Sequence, residues 1–337
     1  MLRLAVLTIL CWLTTACRAI RTPQGEVPLP VIFDTDVGND IDDVLALQML
    51  FNYEQQQKIR LLGITISKAY PRVVDYIDGY ARLNKRGNIP IGYAYNGPNP
   101  EPGRYVNVTL DTLINGRHIL LPQRSLGQSI PEGFKLMRKL LARQSDGSVV
   151  LIAVGPETNL GRLLESPPDE FSKLNGVDLV RKKVKLVSLM GGRYTHEYDF
   201  AEWNILQDLP AARTVFEKCP VPVISSGVEV GYKILYPASS IEHDFPGNGA
   251  HPLVVSYKVY EKFPYDRPSW DLTAVLQAIE PGNMLFALSP AGNISVDTTG
   301  NTNYSPEADG RHRYLTISAK PNAIVDTLVY RTTGISR

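Results

Sequence analysis

Short apolar runs alternate with amphipathic stretches along most of the chain. The runs at 31–33, 61–66, 149–154, 184–190 and 221–225 are compact, rich in Val, Ile and Leu, and bounded by Gly, Pro or Asp, the pattern of buried strands. Between them, 42–51, 73–84, 134–143, 159–165 and 208–216 carry apolar residues at helical spacing. Strands alternating with helices predict an α/β fold, a mostly parallel open sheet with helices on both faces. In such sheets ligands bind beyond the carboxyl ends of the strands, so the residues that follow each apolar run are the first candidates for chemistry. The stretch 96–129, with "YNGPNPEPGRYVN", has little periodicity and is expected to be an inserted loop near the site or at a subunit contact. Residues 292–331 alternate in the manner of a strand and predict a small C-terminal antiparallel hairpin.

The chain has 337 residues, enough to bury a large single core. Lys plus Arg number 35 against 34 Asp plus Glu, a balance that gives no field to steer nucleic acid or anionic lipid and points to a small-molecule partner. The first residues break the pattern. Met1-Leu2-Arg3 supplies a positive charge, 4–13 an apolar stretch, and Thr14-Thr15-Ala16 small residues before Cys17, which together read as a signal peptide over 1–16. About ten apolar residues fall short of the roughly 20 that a membrane-spanning helix needs. Cys17 after Ala16 resembles a bacterial lipobox, with Thr14 where leucine is usual, so the mature protein is expected to be exported either as a lipoprotein anchored through Cys17 or as a free secreted chain. A short lead, 17–29, then precedes one domain over 30–337. Of the three cysteines, Cys11 leaves with the signal, and Cys17 and Cys219 form no disulfide framework; Cys219 is expected in the core.

The densest chemistry follows the first strand. "FDTDVGNDIDD", 33–43, holds five aspartates in eleven positions. Carboxylates crowded at a strand end either keep some protons or gather a cation. Oxygen donors with no histidine or cysteine nearby favour Ca²⁺ or Mg²⁺ over zinc. Capping of the following helix accounts for one or two of the acids, not for five. An EF-hand loop starting at Asp34 fails, because Gly38-Asn39 reverses the required order and Leu45 stands where a glutamate is needed. A phosphatase of the haloacid-dehalogenase type would use Asp34 and Asp36 as nucleophile and acid, which leaves Asp42 and Asp43 without a role.

"DTDVGNDIDDVLAL" resembles the opening motif of the nucleoside hydrolase family, the inosine-uridine-preferring type, with Asp34, Asp36, Gly38, Asp42, Asp43, Ala46 and Leu47 alignable. Two departures stand out: five residues instead of three separate Asp36 from Asp42-Asp43, and Val37 replaces the family's proline. Three further stretches follow in family order: "LIAVGPETNLGRLL", "LMGG" with "AEWNILQDLPAARTVF", and "RPSWDLTAVLQAI". The resemblance spans roughly 30–330. It implies a Ca²⁺ held by Asp36, Asp43, Asp271 and the main-chain carbonyl of Val154, with Asp36 also the general base. It implies that Asp42, Glu202 and Asn204 hold ribose hydroxyls, Asp40 competing with Asp42 for that role or for the metal, and that Trp203 lies beside the base. A homodimer or homotetramer is implied in the same way.

Cleaving an N-ribosyl bond needs a water nucleophile, charge near the sugar ring and help for the departing base. The resemblance assigns that help to a histidine just before the final aspartate, but Trp270 stands there, and an indole is no acid. His196, which falls opposite a sugar-contacting asparagine of the family, or a tyrosine of "RYTHEY" could serve instead; the enzyme could prefer leaving groups that need little protonation; or the protein could be a calcium-dependent nucleoside- or ribose-binding lipoprotein without turnover. The expected activity is calcium-dependent hydrolysis of a ribonucleoside or related riboside to ribose and free base.

Overall fold

The apolar block at 31–33 becomes an inner strand of a ten-stranded sheet in the computed structural model, which describes residues 27–127, 130–247 and 249–335. The signal peptide, Cys17 and most of the lead lie outside the described residues. The strands are β1 (Leu29–Thr35), β2 (Ile59–Ile66), β3 (Ile91–Tyr93), the two-residue β4 (Leu113–Ile114) and β5 (Arg117–His118), β6 (Val149–Ala153), β7 (Val184–Met190) and β8 (Val223–Ser226). The two-residue β9 (Leu235–Tyr236) and β10 (Arg267–Pro268) follow, then β11 (Phe286–Leu288), β12 (Gly292–Val296), β13 (Thr302–Pro306) and β14 (His312–Ile317). The main sheet runs β13-β12-β14-β8-β7-β6-β1-β2-β3, with β11 paired to β14. From β14 to β3 every neighbouring pair is parallel.

Neighbouring residues of a strand face opposite sides of the sheet, and both sides here are apolar. Val31 and Phe33 enter one core, packed against the helices Asp42–Gln55 and Asp271–Ile279, while Ile32 enters the other with Leu151 and Leu163. Such two-sided burial explains why the runs read as continuous apolar blocks. Cys219 packs in the second core.

All five predicted strands and all five predicted helices are present, within a few residues at their ends. The C-terminal hairpin is β12–β13, but β14 joins it to the parallel sheet beside β8, and the segment closes with the helix Pro321–Thr333, which the strand-like reading of 292–331 had not separated. The loop after 96 contains the helix Val106–Asp111 and folds over the acidic segment. Tyr105 accepts a hydrogen bond from the Gly38 N–H (2.8 Å) and donates one to the Asp40 carbonyl (2.7 Å). Gly103 lies so close that a Cβ there would sit 1.9 Å from the Gly38 carbonyl oxygen, so only glycine lets the two loops meet. No helix among the described residues is long and apolar enough to cross a membrane.

Candidate active site

The carboxyl ends of β1, β6 and β7 open onto a cavity of about 400 Å³. Asp36 is the first residue past β1, Val154 the first past β6, and Met190 ends β7; all three line the cavity, as the strand-end rule predicts. Asp42 and Asp43 open the helix Asp42–Gln55, and Asp271 opens Asp271–Ile279. Two helix N-termini therefore converge on one floor, where their dipoles favour negative charge.

One carboxylate oxygen from each of Asp42, Asp43 and Asp271 lies within 4.8 Å of the others, and all three residues are buried. Asp42 Oδ2 accepts the main-chain N–H groups of Trp270 (3.0 Å) and Asp271 (3.1 Å), so it caps the distant helix and not its own. Asp43 Oδ1 accepts from the Thr35 hydroxyl and from the Asp36 N–H (3.2 Å). Burial pushes all three carboxyls well above the ordinary range, and neighbouring acids push them further. Three buried carboxylates that cannot all stay ionised alone, offering only hard oxygen donors, fit a divalent cation of the Ca²⁺ or Mg²⁺ kind.

Asp36 stands at the edge of this group. Burial raises its carboxyl to about 6, against the opposing effect of a hydrogen bond to Oδ2 from Asn39 Nδ2 (2.5 Å). The Val154 carbonyl accepts from Asn204 Nδ2 (3.0 Å), which also reaches the Met190 carbonyl (3.2 Å). Glu202 caps the short helix Trp203–Gln207, accepting from the N–H groups of Gly192, Asn204 and Ile205, while burial holds its carboxyl at about 7. Asp40 is engaged differently: both its oxygens face the Arg267 guanidinium, in turn 3.0 Å from the Tyr260 hydroxyl. The two candidates that sequence spacing left in competition are thus separated, Asp42 with the acid cluster and Asp40 in an ion pair.

The remaining wall is aromatic. Trp270 lines the cavity with its indole N–H donated to the Val228 carbonyl (2.9 Å) and its ring packed edge-on against Tyr232. Trp203 is 56% exposed at the mouth, near Phe200. His196 is exposed and is not among the lining residues, nor are Tyr194 and Tyr198 of "RYTHEY"; no lining residue is a histidine. Asp34, the nucleophile of the phosphatase alternative, does not line the cavity either. It is buried behind it, accepting from Thr65 and from Asn159 Nδ2 (2.7 Å).

Sequence reasoning did not single out Asn39, Lys68, Arg267 or Tyr260. Lys68 could have been flagged by the same strand-end rule, since it follows β2 by two residues. The Asp40–Arg267 pair, 227 positions apart, leaves no local signal.

The chain matches the inosine-uridine preferring nucleoside hydrolase family over residues 31–327. It is 28% identical to the pyrimidine-specific ribonucleoside hydrolase RihA of Salmonella enteritidis PT4 over 215 residues, 64% of this chain and 65% of that relative's length. Among solved structures, a purine-preferring ribonucleoside hydrolase from Gardnerella vaginalis superposes with a TM-score of 0.70 at 18% identity, covering 90% of this chain and 98% of its own. The type III effector protein XopQ, solved with adenosine diphosphate ribose, gives 0.66 at 15% identity, covering 92% and 94%. At these identities the two structures establish a shared fold.

Proposed function

Because the chain belongs to the inosine-uridine preferring nucleoside hydrolase family, we propose that it hydrolyses the N-glycosidic bond of ribonucleosides or related ribosides, releasing ribose and free base, with Ca²⁺ as its cation. The observation that carries this reading is the buried Asp42, Asp43, Asp271 cluster opening beside Asp36 into one cavity.

Asp42, Asp43 and Asp271 would hold the cation, and Val154, whose carbonyl Asn204 engages, lines the same cavity. A bound Ca²⁺ would lower the pKa of a coordinated water and grip ribose hydroxyls. The chain's own residues supply the rest. Asp36 has one oxygen held by Asn39 and the other left to accept a proton from an attacking water. Asn204 commits its amide N–H₂ to two carbonyls, so its Oδ1 is the acceptor left for a sugar hydroxyl. The oxocarbenium-like sugar of the transition state then lies among ionised carboxylates, which favour its positive charge.

On the leaving-group side stand Trp270, Tyr232, Phe200 and Trp203. With the Trp270 indole already donated to Val228, this wall offers stacking surface, the Tyr232 hydroxyl as a weak donor, and no histidine. The reading that follows is an enzyme for leaving groups that depart with little protonation. The same observation favours a second reading, calcium-dependent riboside binding without turnover; the ADP-ribose in the XopQ structure is an example of a riboside ligand in this fold.

Release of free ribose from a panel of nucleosides and nicotinamide riboside, with Ca²⁺ or chelator and with Asp36→Ala alongside, separates the two. Chelator-sensitive release lost in the variant supports hydrolysis; calcium-dependent binding without release supports the second reading. We also propose export, with processing before Cys17, and a homo-oligomer. Mass spectrometry of the mature N-terminus and sedimentation analysis test these.

A further inference from the structure

Lys68 follows the end of β2 and is fully enclosed, with no exposed surface. An ammonium is rarely left in such a place without a carboxylate partner, because its lost hydration must be replaced. Among the described residues no acid lies within ion-pair distance of Lys68 Nζ. It donates instead to Asn39 Oδ1 (2.5 Å), and Asn39 Nδ2 donates to Asp36 Oδ2 (2.5 Å). The stem of the lysine runs alongside Gly38, so the chain of contacts is packed as well as bonded.

An ammonium can only donate. Asn39 must therefore turn its carbonyl to Lys68, and its N–H₂ has one direction left, toward Asp36; a reversed amide would set donor against donor. The Asn39 amide in turn holds Asp36 Oδ2, while Oδ1 accepts no side-chain hydrogen bond from the described residues and Asp36 lines the cavity. Resting on the hydrolase reading above, we propose that Lys68 is a positioning residue for the reaction: through Asn39 it fixes which oxygen of the Asp36 carboxylate faces the substrate. Lys68 itself does not line the cavity.

Steady-state ribose release is compared for the full mature chain, Lys68→Met, Asn39→Leu and the double variant, together with crystal structures of each. Positioning through one chain of bonds predicts that either single variant lowers kcat by about 10²-fold while KM stays within about threefold, and that the double variant loses no more than either single one. The structures should show the Asp36 carboxylate rotated in both. Multiplicative losses, a KM effect as large as the kcat effect, or an Asp36 carboxylate unmoved in Lys68→Met would overturn the proposal, since a lysine that merely offsets nearby negative charge needs no Asn39. Should Lys68→Met fail to fold, Asn39→Leu decides on its own: full activity with Asp36 in place refutes the relay. Should the unmodified protein release no ribose from any substrate, the hydrolase reading fails, and the rotation of Asp36 in the crystal structures still decides whether Lys68 acts through Asn39.

Discussion

Removing the negative charge of Asp271 should stabilise the protein when no cation is present and abolish stabilisation by one. The reasoning rests on the contrast among the three clustered acids: Asp42 and Asp43 accept hydrogen bonds, whereas Asp271 accepts none from the described residues and is raised by Asp42, Asp43 and Asp36 together after burial itself. With a cation present at 100 times its dissociation constant, stabilisation is about 2.7 kcal/mol. For a domain of about 300 residues, with roughly 2 cal/mol/K of unfolding entropy per residue, that corresponds to about 4 °C in Tm. Burial and neighbouring acids hold these carboxyls above the ordinary range, so binding an ion should release protons, more of them as pH falls. Differential scanning calorimetry of the unmodified protein and Asp271→Asn, with Ca²⁺, Mg²⁺ or chelator, reads the first quantity; titration calorimetry in buffers of different ionisation enthalpy reads the second. Asp271→Asn should show a Tm above that of the unmodified protein in chelator and no response to either ion. An unmodified protein indifferent to both ions, or a variant that responds equally, would refute the argument that the cluster is a cation site.

Three further outcomes are expected. A riboside with a good leaving group, such as p-nitrophenyl riboside, should be cleaved at least about 10²-fold faster than inosine, because no histidine lines the cavity to protonate a departing base; comparable rates would show that a proton donor operates. His312 is enclosed, its Nδ1 accepting from the Ile294 N–H (2.8 Å), and burial pulls it down to about 4. The unfolded chain takes up this proton near pH 6.5 and the folded one near 4, so stability is complete above 6.5 and falls as pH drops toward 4, by about 2 kcal/mol between pH 7 and pH 5; urea denaturation at those two pH values should show a smaller acid loss in His312→Asn than in the unmodified protein. Buried Arg138 donates to Asp169, Ser166 and the carbonyls of Ser172 and Leu174, and Arg138→Met should cost about 3 kcal/mol in the same assay without changing kcat of the folded fraction.

The sheet was legible because its central strands are buried on both faces and so appear as unbroken apolar blocks. β3 has only three residues after Pro90, too short for any periodicity to register, and Pro321–Thr333 is separated from β14 by only Ser318-Ala319-Lys320, a break short enough to pass for a turn in the strand-like run. At the site, the acidic segment and the residues after β6 and β7 could be picked out by composition and strand-end position. Their partners could not: Asp42 meets Trp270 and Asp271, and Asp40 meets Arg267, through contacts more than 220 positions apart. Spacing within the segment therefore left Asp40 and Asp42 interchangeable, and only the fold distinguishes the ion-paired acid from the capping one. Lys68 escaped notice because a lysine after a strand is ordinarily a solvated side chain, and its enclosure depends on the loop carrying Tyr105.

β1 is the first strand among the described residues, yet it lies inside the sheet, third from one edge, and its acids are completed by a helix that begins at residue 271. Synthesis delivers residues in order, so Asp42 and Asp43 emerge long before their third partner exists. A cation held there would therefore lock a finished domain but could not template an unfinished one. Nascent or truncated chains would be blind to such an ion, and only molecules that have closed the whole sheet would be retained by it, which would make ion occupancy a checkpoint on complete folding.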